Sequence, residues 1–418
     1  MASTLLYAVF LSVVVASFAG DKVIRIIPGN SNELDFLSSL EGKRELELDF
    51  WKAPHRPGLA VDIHLTDAAY KTVAKLLKEQ NIRFQILIVD VDKLMDDENE
   101  LQKRGMSFSF YSRYHPLNEI DEELRNLANQ HAEMANVFNL GRSFEGRQQQ
   151  AIKLRGRRRP GKKIFFMNCG IHAREWVSPA TCMYIIKQIV SRYGRDSSVT
   201  EMLDKMDFVI MPVLNVDGYV FTWNPSNRRN RYWRKTRKPN KSSRCFGTDP
   251  NRNWDYMWGY PGASSNPCSE SFRGTHAFSE IEVRNVADYL KALNENGQIA
   301  GYMDIHAYSQ LWMTPWGYTA RKTKDHEELM RVSKAAVNAI RNAGYGTYYR
   351  YGPSSVIIYQ NSGGSKDYTY GALKIKYSFA LELRDTGRYG FLLPAYQIVP
   401  TAMETFEGIK AMAREMKV

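Results

Sequence analysis

Residues 163–176 read KIFFMNCGIHAREW. The first seven, KIFFMNC, are a short, nearly continuous apolar run, the pattern of a strand buried on both faces. A glycine follows, and then His172 and Glu175. Residues three apart share one face of a helical turn, so this pair can reach a single ion. A buried strand running straight into a candidate ligand pair points to an α/β sheet whose chemistry lies in the loops beyond the strand ends. The pair alone decides little. In a chain with 8 histidines, a chance His-x-x-Glu is about an even bet, and the remaining sequence has to supply the missing parts.

Working outward, FVIMPVLNV (208–216), IAGYMDI (299–305) and YSFALEL (377–383) read as further buried strands. PATCMYIIKQIVSRYG (179–194), SEIEVRNVADYLKALNEN (279–296) and HEELMRVSKAAVNAIRNA (326–343) carry the apolar spacing of amphipathic helices between them. This alternation predicts an α/β domain, a mixed sheet flanked by helices on both faces.

The leading part differs. KVIRII, ELELDFW, AVDIHL and FQILIVD are strand-like, and SNELDFLSSL and DAAYKTVAKLLKEQ fit helices, giving a small α+β unit over 21–90. DVDKLMDDENELQKRG then reads as an acidic, exposed helix, with Lys103-Arg104-Gly105 as a linker open to trypsin. Residues 21–104 hold 13 Lys/Arg and 16 Asp/Glu, while the whole chain carries +12. The leader is therefore −3 and the remainder +15, a charge split that predicts docking of the two units. LRGRRRPGKK (154–163), the densest basic run, reads as a solvated loop, with binding of polyanions such as glycosaminoglycans as the alternative.

Residues 1–19 resemble a secretory signal: LLYAVFLSVVVA is too short to span a bilayer, and Ser17-Phe18-Ala19 offers small residues for cleavage. No later segment predicts a membrane span. The 4 cysteines, Cys169, Cys182, Cys245 and Cys268, suggest two disulfides in an exported chain. Three pairings are open, with Cys169–Cys182 and Cys245–Cys268 favoured. Asn240-Lys241-Ser242 is a glycosylation acceptor triplet.

A zinc site of two histidines and one carboxylate leaves a fourth position for water. His306 in MDIHAYSQ, at the end of another buried strand, is the best partner for His172 and Glu175. Glu382 stands in an apolar strand, where a solitary carboxylate is costly to bury. A catalytic role explains it, and so does an ion pair with Arg384. RYWRKTR and TDPNRNWD add arginines; the aromatic interleaving of the first has a nucleic-acid look, which a secreted, disulfide-bearing chain excludes.

HAREW, NRYWRKTR, DPNRNWD, GASSNPCSE, IHAYSQ, IYQNSGGS and ELRDTGRYGFLLP stand here in one order. With the LDFWKAP stretch, they make the chain resemble a secreted zinc procarboxypeptidase of the A/B (pancreatic-type) family, in which carboxypeptidase A is the familiar His₂Glu zinc enzyme. The resemblance implies a signal peptide at 1–19, an inhibitory propeptide of ferredoxin-like form at 20–104 and a catalytic domain at 105–418 built on an eight-stranded mixed sheet. It implies one Zn²⁺ per chain on His172, Glu175 and His306, with Asp249 orienting His172. Glu382 is implied as general base toward water and then as acid toward the leaving amine, and Arg234 as the stabiliser of the oxyanion. Asn251 and Arg252 would hold the substrate's terminal carboxylate, Tyr359 would close over it, and Arg174 and Tyr308 would contact the peptide upstream. Cys245–Cys268 matches a bridge general to the family, and Cys169–Cys182 one of its B-type side. The implied partners are peptides with a free C-terminus and a trypsin-like activating protease cutting after Lys103, Arg104 or Arg113. The protein is expected to be a secreted monomer, with no nucleic-acid partner.

By the same resemblance, Lys366 stands at the floor of the pocket for the C-terminal side chain, where A-type enzymes carry an apolar residue and B-type enzymes an aspartate. A cation there predicts preference for C-terminal Glu or Asp, an arrangement similar to that of carboxypeptidase O. Asp304 is expected near the same pocket. Paired with Lys366, it would neutralise the pocket; acting alone, it would favour Lys or Arg.

Overall fold

The computed structural model describes residues 20–41, 43–103, 109–241 and 243–418. The signal segment 1–19, the cut at Arg104 and Ser242 of the acceptor triplet lie outside the described residues. Strands β1 Lys22–Ile26, β2 Asp49–Lys52, β3 Val61–Leu65 and β4 Phe84–Ile88 form an antiparallel sheet in the order β2-β3-β1-β4. Helices Ser31–Glu41 and Asp67–Glu79 complete a βαββαβ unit, the ferredoxin-like arrangement.

The second sheet has eight strands: β5 Ala135–Arg142, β6 Gln148–Leu154, β7 Ile164–Cys169, β8 Asp207–Met211, β9 Ile299–His306, β10 Leu311–Thr314, β11 Arg350–Pro353 and β12 Tyr377–Glu382. Their order is β11-β10-β12-β9-β7-β8-β6-β5. The central run β12-β9-β7-β8 is parallel; outside it β10 joins β12, β6 joins β8 and β5 joins β6 antiparallel, while β11 runs parallel to β10. The apolar run of β7 divides by the strand period of two. Phe165, Met167 and Cys169 join one core, with helices Val177–Arg192, His326–Asn342 and Ile398–Glu415, while Ile164 and Phe166 join the other, with helix Ile281–Glu295. A strand covered on both faces has no polar side to show, which is why KIFFMNC lacks alternation.

Two expectations change. The strand read as FVIMPVLNV stops at Met211, because Pro212 has no N–H for the ladder. The acidic helix, Val91–Lys103, is not an exposed element: Val91, Met95 and Glu98 are buried. Glu98 meets Arg231 at 3.1 Å, and Asp92 and Asp96 both pair with Arg228. The charge split thus appears as direct ion pairs, with Met95 and Val91 supplying apolar contact on the same helix face.

Candidate active site

β7, β9 and β12 are parallel neighbours, and their C-terminal ends lie side by side. His306 is the last residue of β9 and Glu382 the last of β12, and the two are register partners. Beyond β7 the chain turns at Gly170, whose φ of +60° and whose approach to Pro179 and Pro212 leave little room for a side chain. That turn carries His172 and Glu175 to the mouth of β9. His172 Nδ1 lies 2.7 Å from Glu175 Oε1, and His306 Nδ1 lies 3.2 Å from Glu175 Oε2 and 3.1 Å from His172 Nδ1. All three residues are buried, and their ligand atoms lie within 4.8 Å of one another.

Behind the ligands stand two more carboxylates. His172 Nε2 is 3.1 Å from Asp249 Oδ1, and His306 Nε2 is 3.0 Å from Asp304 Oδ2. An acceptor on each Nε2 leaves each Nδ1 with a lone pair turned inward. Two inward imidazole nitrogens and a carboxylate oxygen are the donor set that suits zinc.

Around this cluster, Arg234 donates to Asp249 Oδ2 at 2.8 Å and comes within 3.9 Å of Glu175. Asn251 accepts from Ser365 N at 2.9 Å, and Arg252 Nε donates to Gly262 O at 2.8 Å. Arg234, Asn251, Arg252, Tyr359, Lys366 and Glu382 line one cavity of about 40 Å³ with the two histidines. Glu382 has no ion pair to Arg384, which instead bonds Glu404 at 2.9 Å. Burial pushes the Glu382 carboxyl up to about 8, opposed by His306. Cys169 is bonded to Cys182 and Cys245 to Cys268.

The zinc carboxypeptidase family model matches residues 120–408. This chain belongs to the zinc carboxypeptidase family. The carboxypeptidase activation peptide matches residues 24–98, so the chain is a zymogen of that family. Carboxypeptidase A2 of Rattus norvegicus is 43% identical over 425 residues, covering 100% of this chain and 99% of the relative. Carboxypeptidase A1 of Bos taurus is 42% identical, covering 94% and 93%. The crystal structure of thrombin activatable fibrinolysis inhibitor superposes with a TM-score of 0.87 at 34% identity, covering 96% of this chain and 99% of that one. Carboxypeptidase A from Helicoverpa armigera gives 0.84 at 26%, covering 95% and 98%.

The activation peptide of this zinc carboxypeptidase sits over the site. Asp49 takes two bonds from Arg174 Nη1, at 2.9 and 3.1 Å, and Asp62 accepts from Tyr308 Oη at 2.7 Å. Trp51 packs against Tyr232, Tyr308 and Phe391. His55 stacks on Tyr359 with ring centroids 4.0 Å apart. Arg174, Tyr308 and Tyr359 therefore serve the docked peptide here. Sequence reading missed Trp51, Asp62 and His55, because nothing in a lone sequence says which propeptide side chains reach across.

Burial, reinforced by the charge of Arg252, pushes the His55 imidazole down to about 4. A base whose docked pKa lies below its free value of about 6.5 binds fewer protons when docked. Its contribution to docking is therefore full above about 6.5 and fades as pH falls toward 4. Amide hydrogen exchange across 49–56 in the zymogen, taken relative to its intrinsic rate at each pH, is expected to rise between pH 7 and 5. His55→Phe keeps the stack without the proton and should flatten that rise; an unchanged profile in the variant would remove His55 as its source.

The specificity end of the site departs from expectation. Lys366 is buried and lines the cavity, but it pairs with its neighbour: Lys366 Nζ to Asp367 Oδ1 is 2.7 Å. Asp367 is held independently by Gly317 N at 2.8 Å and Tyr318 N at 3.0 Å. Asp304 does not pair with Lys366. It lies fully buried, 3.0 Å from His306 Nε2, and accepts from Ser365, which lines the cavity with His306.

Proposed function

We propose that this zinc carboxypeptidase is exported under the segment 1–19. On this reading, residues 105–418 are released from residues 20–104 by a trypsin-like cut near Arg104. They then remove single C-terminal residues from peptides, with preference for Glu and Asp. The placement of Lys366 on the cavity that also holds Asn251, Arg252 and the ligand cluster carries this reading.

In the proposed reaction, His172, Glu175 and His306 would hold zinc, which would supply Lewis-acid polarisation of the carbonyl and acidify water. Arg252 and Asn251 hold the terminal carboxylate, whose planar geometry a guanidinium matches. That contact makes the enzyme cut one residue from the end. Arg234, fixed by Asp249, donates to the oxygen on which negative charge develops. Glu382 takes a proton from water and returns it to the leaving amine.

Lys366 has three donors and spends one on Asp367. Since Asp367 is also held by backbone N–H groups, the remaining donors of Lys366 can serve a substrate carboxylate. A second reading rests on the same pair: Lys366 and Asp367 together are neutral, which suits an apolar or neutral polar terminus, in line with the carboxypeptidase A relatives. Matched blocked dipeptides ending in Glu, Phe and Arg separate the two. Acidic preference predicts kcat/KM for Glu at least about tenfold above Phe and Arg, equivalent to about 1.4 kcal/mol. Lys366→Asp should move the preference toward Arg. Phe as the best substrate, with little change in the variant, would instead favour the neutral pocket.

A further inference from the structure

Asp304 is a buried carboxylate beside the ligand cluster to which the proposed reaction gives no task. Its side chain is fully buried, and ionised groups remain in such places only when they are paired and hydrogen-bonded. Each of its oxygens is provided for. Asn168 Nδ2 donates to Oδ1 at 2.7 Å, and Ser365 Oγ donates to Oδ2 at 2.6 Å. His306 Nε2 lies 3.0 Å from the same Oδ2.

The sheet builds this arrangement. Asp304 and His306 are two residues apart on β9, so their side chains leave the same face. Asn168 on β7 is the register partner of Asp304. Ser365 opens the short helix Ser365–Gly371, which also carries Lys366. Asn251 Nδ2 also approaches His306 Nε2, at 3.1 Å. Its amide is oriented by Asn251 Oδ1 accepting from Ser365 N, which leaves Nδ2 as a donor. That amide would be satisfied by an Nε2 lone pair, whereas Asp304 requires an Nε2 hydrogen; the bond to the carboxylate is charge-assisted and the stronger of the two, so Asp304 sets the tautomer.

We infer that Asp304 is a positioning residue for His306. It accepts the Nε2 hydrogen, fixes the ring so that the Nδ1 lone pair faces His172 and Glu175, and lends its charge to make the imidazole a stronger donor to the metal. The inference rests on the proposed ligand set. With Asp249 on His172, it gives each metal histidine its own buried carboxylate, so the site is held from both sides of the cleft.

The test is the zinc dissociation constant of the full chain, measured by competition with a chromophoric chelator. Asp304→Ala is expected to weaken zinc binding about 10- to 100-fold, the range for loss of a carboxylate behind a ligating histidine. Asp304→Asn keeps the shape and one acceptor but not the charge, and should fall between the parent and the alanine variant. Thermal unfolding of the metal-free proteins separates a structural role. If Asp304 only supported the fold, both variants would melt lower while keeping the parent dissociation constant, and the inference would be overturned. Where Asp304→Ala does not fold, the asparagine variant decides alone. Parent protein that fails to bind zinc, or His306→Ala that binds it as the parent does, would overturn the ligand set itself and this inference with it.

Discussion

Replacing His306 with alanine is expected to abolish hydrolysis by the activated enzyme. Of the three ligand atoms that converge within 4.8 Å, this change removes one and leaves a two-residue remnant on the turn after β7. Lewis-acid stabilisation by a bound metal is worth several kcal/mol, and each 1.36 kcal/mol is a factor of ten in rate. The loss should therefore be on the order of 10³-fold or more. His172→Ala and Glu175→Ala should behave alike. Metal analysis of the purified variants must show zinc depleted in step with the rate. A His306→Ala protein that retained one zinc and near-parental kcat would place the metal elsewhere.

The second large effect is expected from Glu382→Gln. Glutamine keeps the size of the side chain at the end of β12 but can neither accept nor return a proton. General acid–base catalysis contributes about 10²- to 10⁴-fold, so kcat should fall by that factor. KM should change little, because substrate is held by other groups. Zinc content should stay at parent level, which separates this variant from the ligand variants. A fall in KM-limited binding with kcat preserved would make Glu382 a binding residue.

Much of this architecture was legible in the sequence because burial on two faces leaves a plain mark. The run KIFFMNC, the glycine after it and the His-x-x-Glu that follows placed the first two ligands on the turn after a central strand. His306 and Glu382 could be read as strand-terminal residues. Their adjacency could not, because it depends on β9 and β12 pairing in parallel across more than seventy residues of chain.

Local side-chain chemistry was less legible. The pairing of Asp304 with Lys366, one of the readings the sequence left open, does not form: Asp304 meets His306, whose face of β9 it shares. Lys366 meets Asp367, its own neighbour, instead. Adjacent helix residues rarely face each other; at the start of the short helix Ser365–Gly371, a lysine is long enough to reach back to a carboxylate already pinned by Gly317 and Tyr318. The acidic helix Val91–Lys103 was read as solvated from its charge, which was instead the complement of Arg228 and Arg231.

The most direct measurement uses one blocked dipeptide in two forms, with a free C-terminal carboxylate and with that carboxylate amidated, after trypsin cleavage of the zymogen. Release of the terminal residue from the free acid alone, stopped by a zinc chelator and restored by added zinc, is the result expected of a zinc exopeptidase that holds the chain end on Arg252 and Asn251. Equal cleavage of the amidated form, or hydrolysis untouched by the chelator, would contradict it.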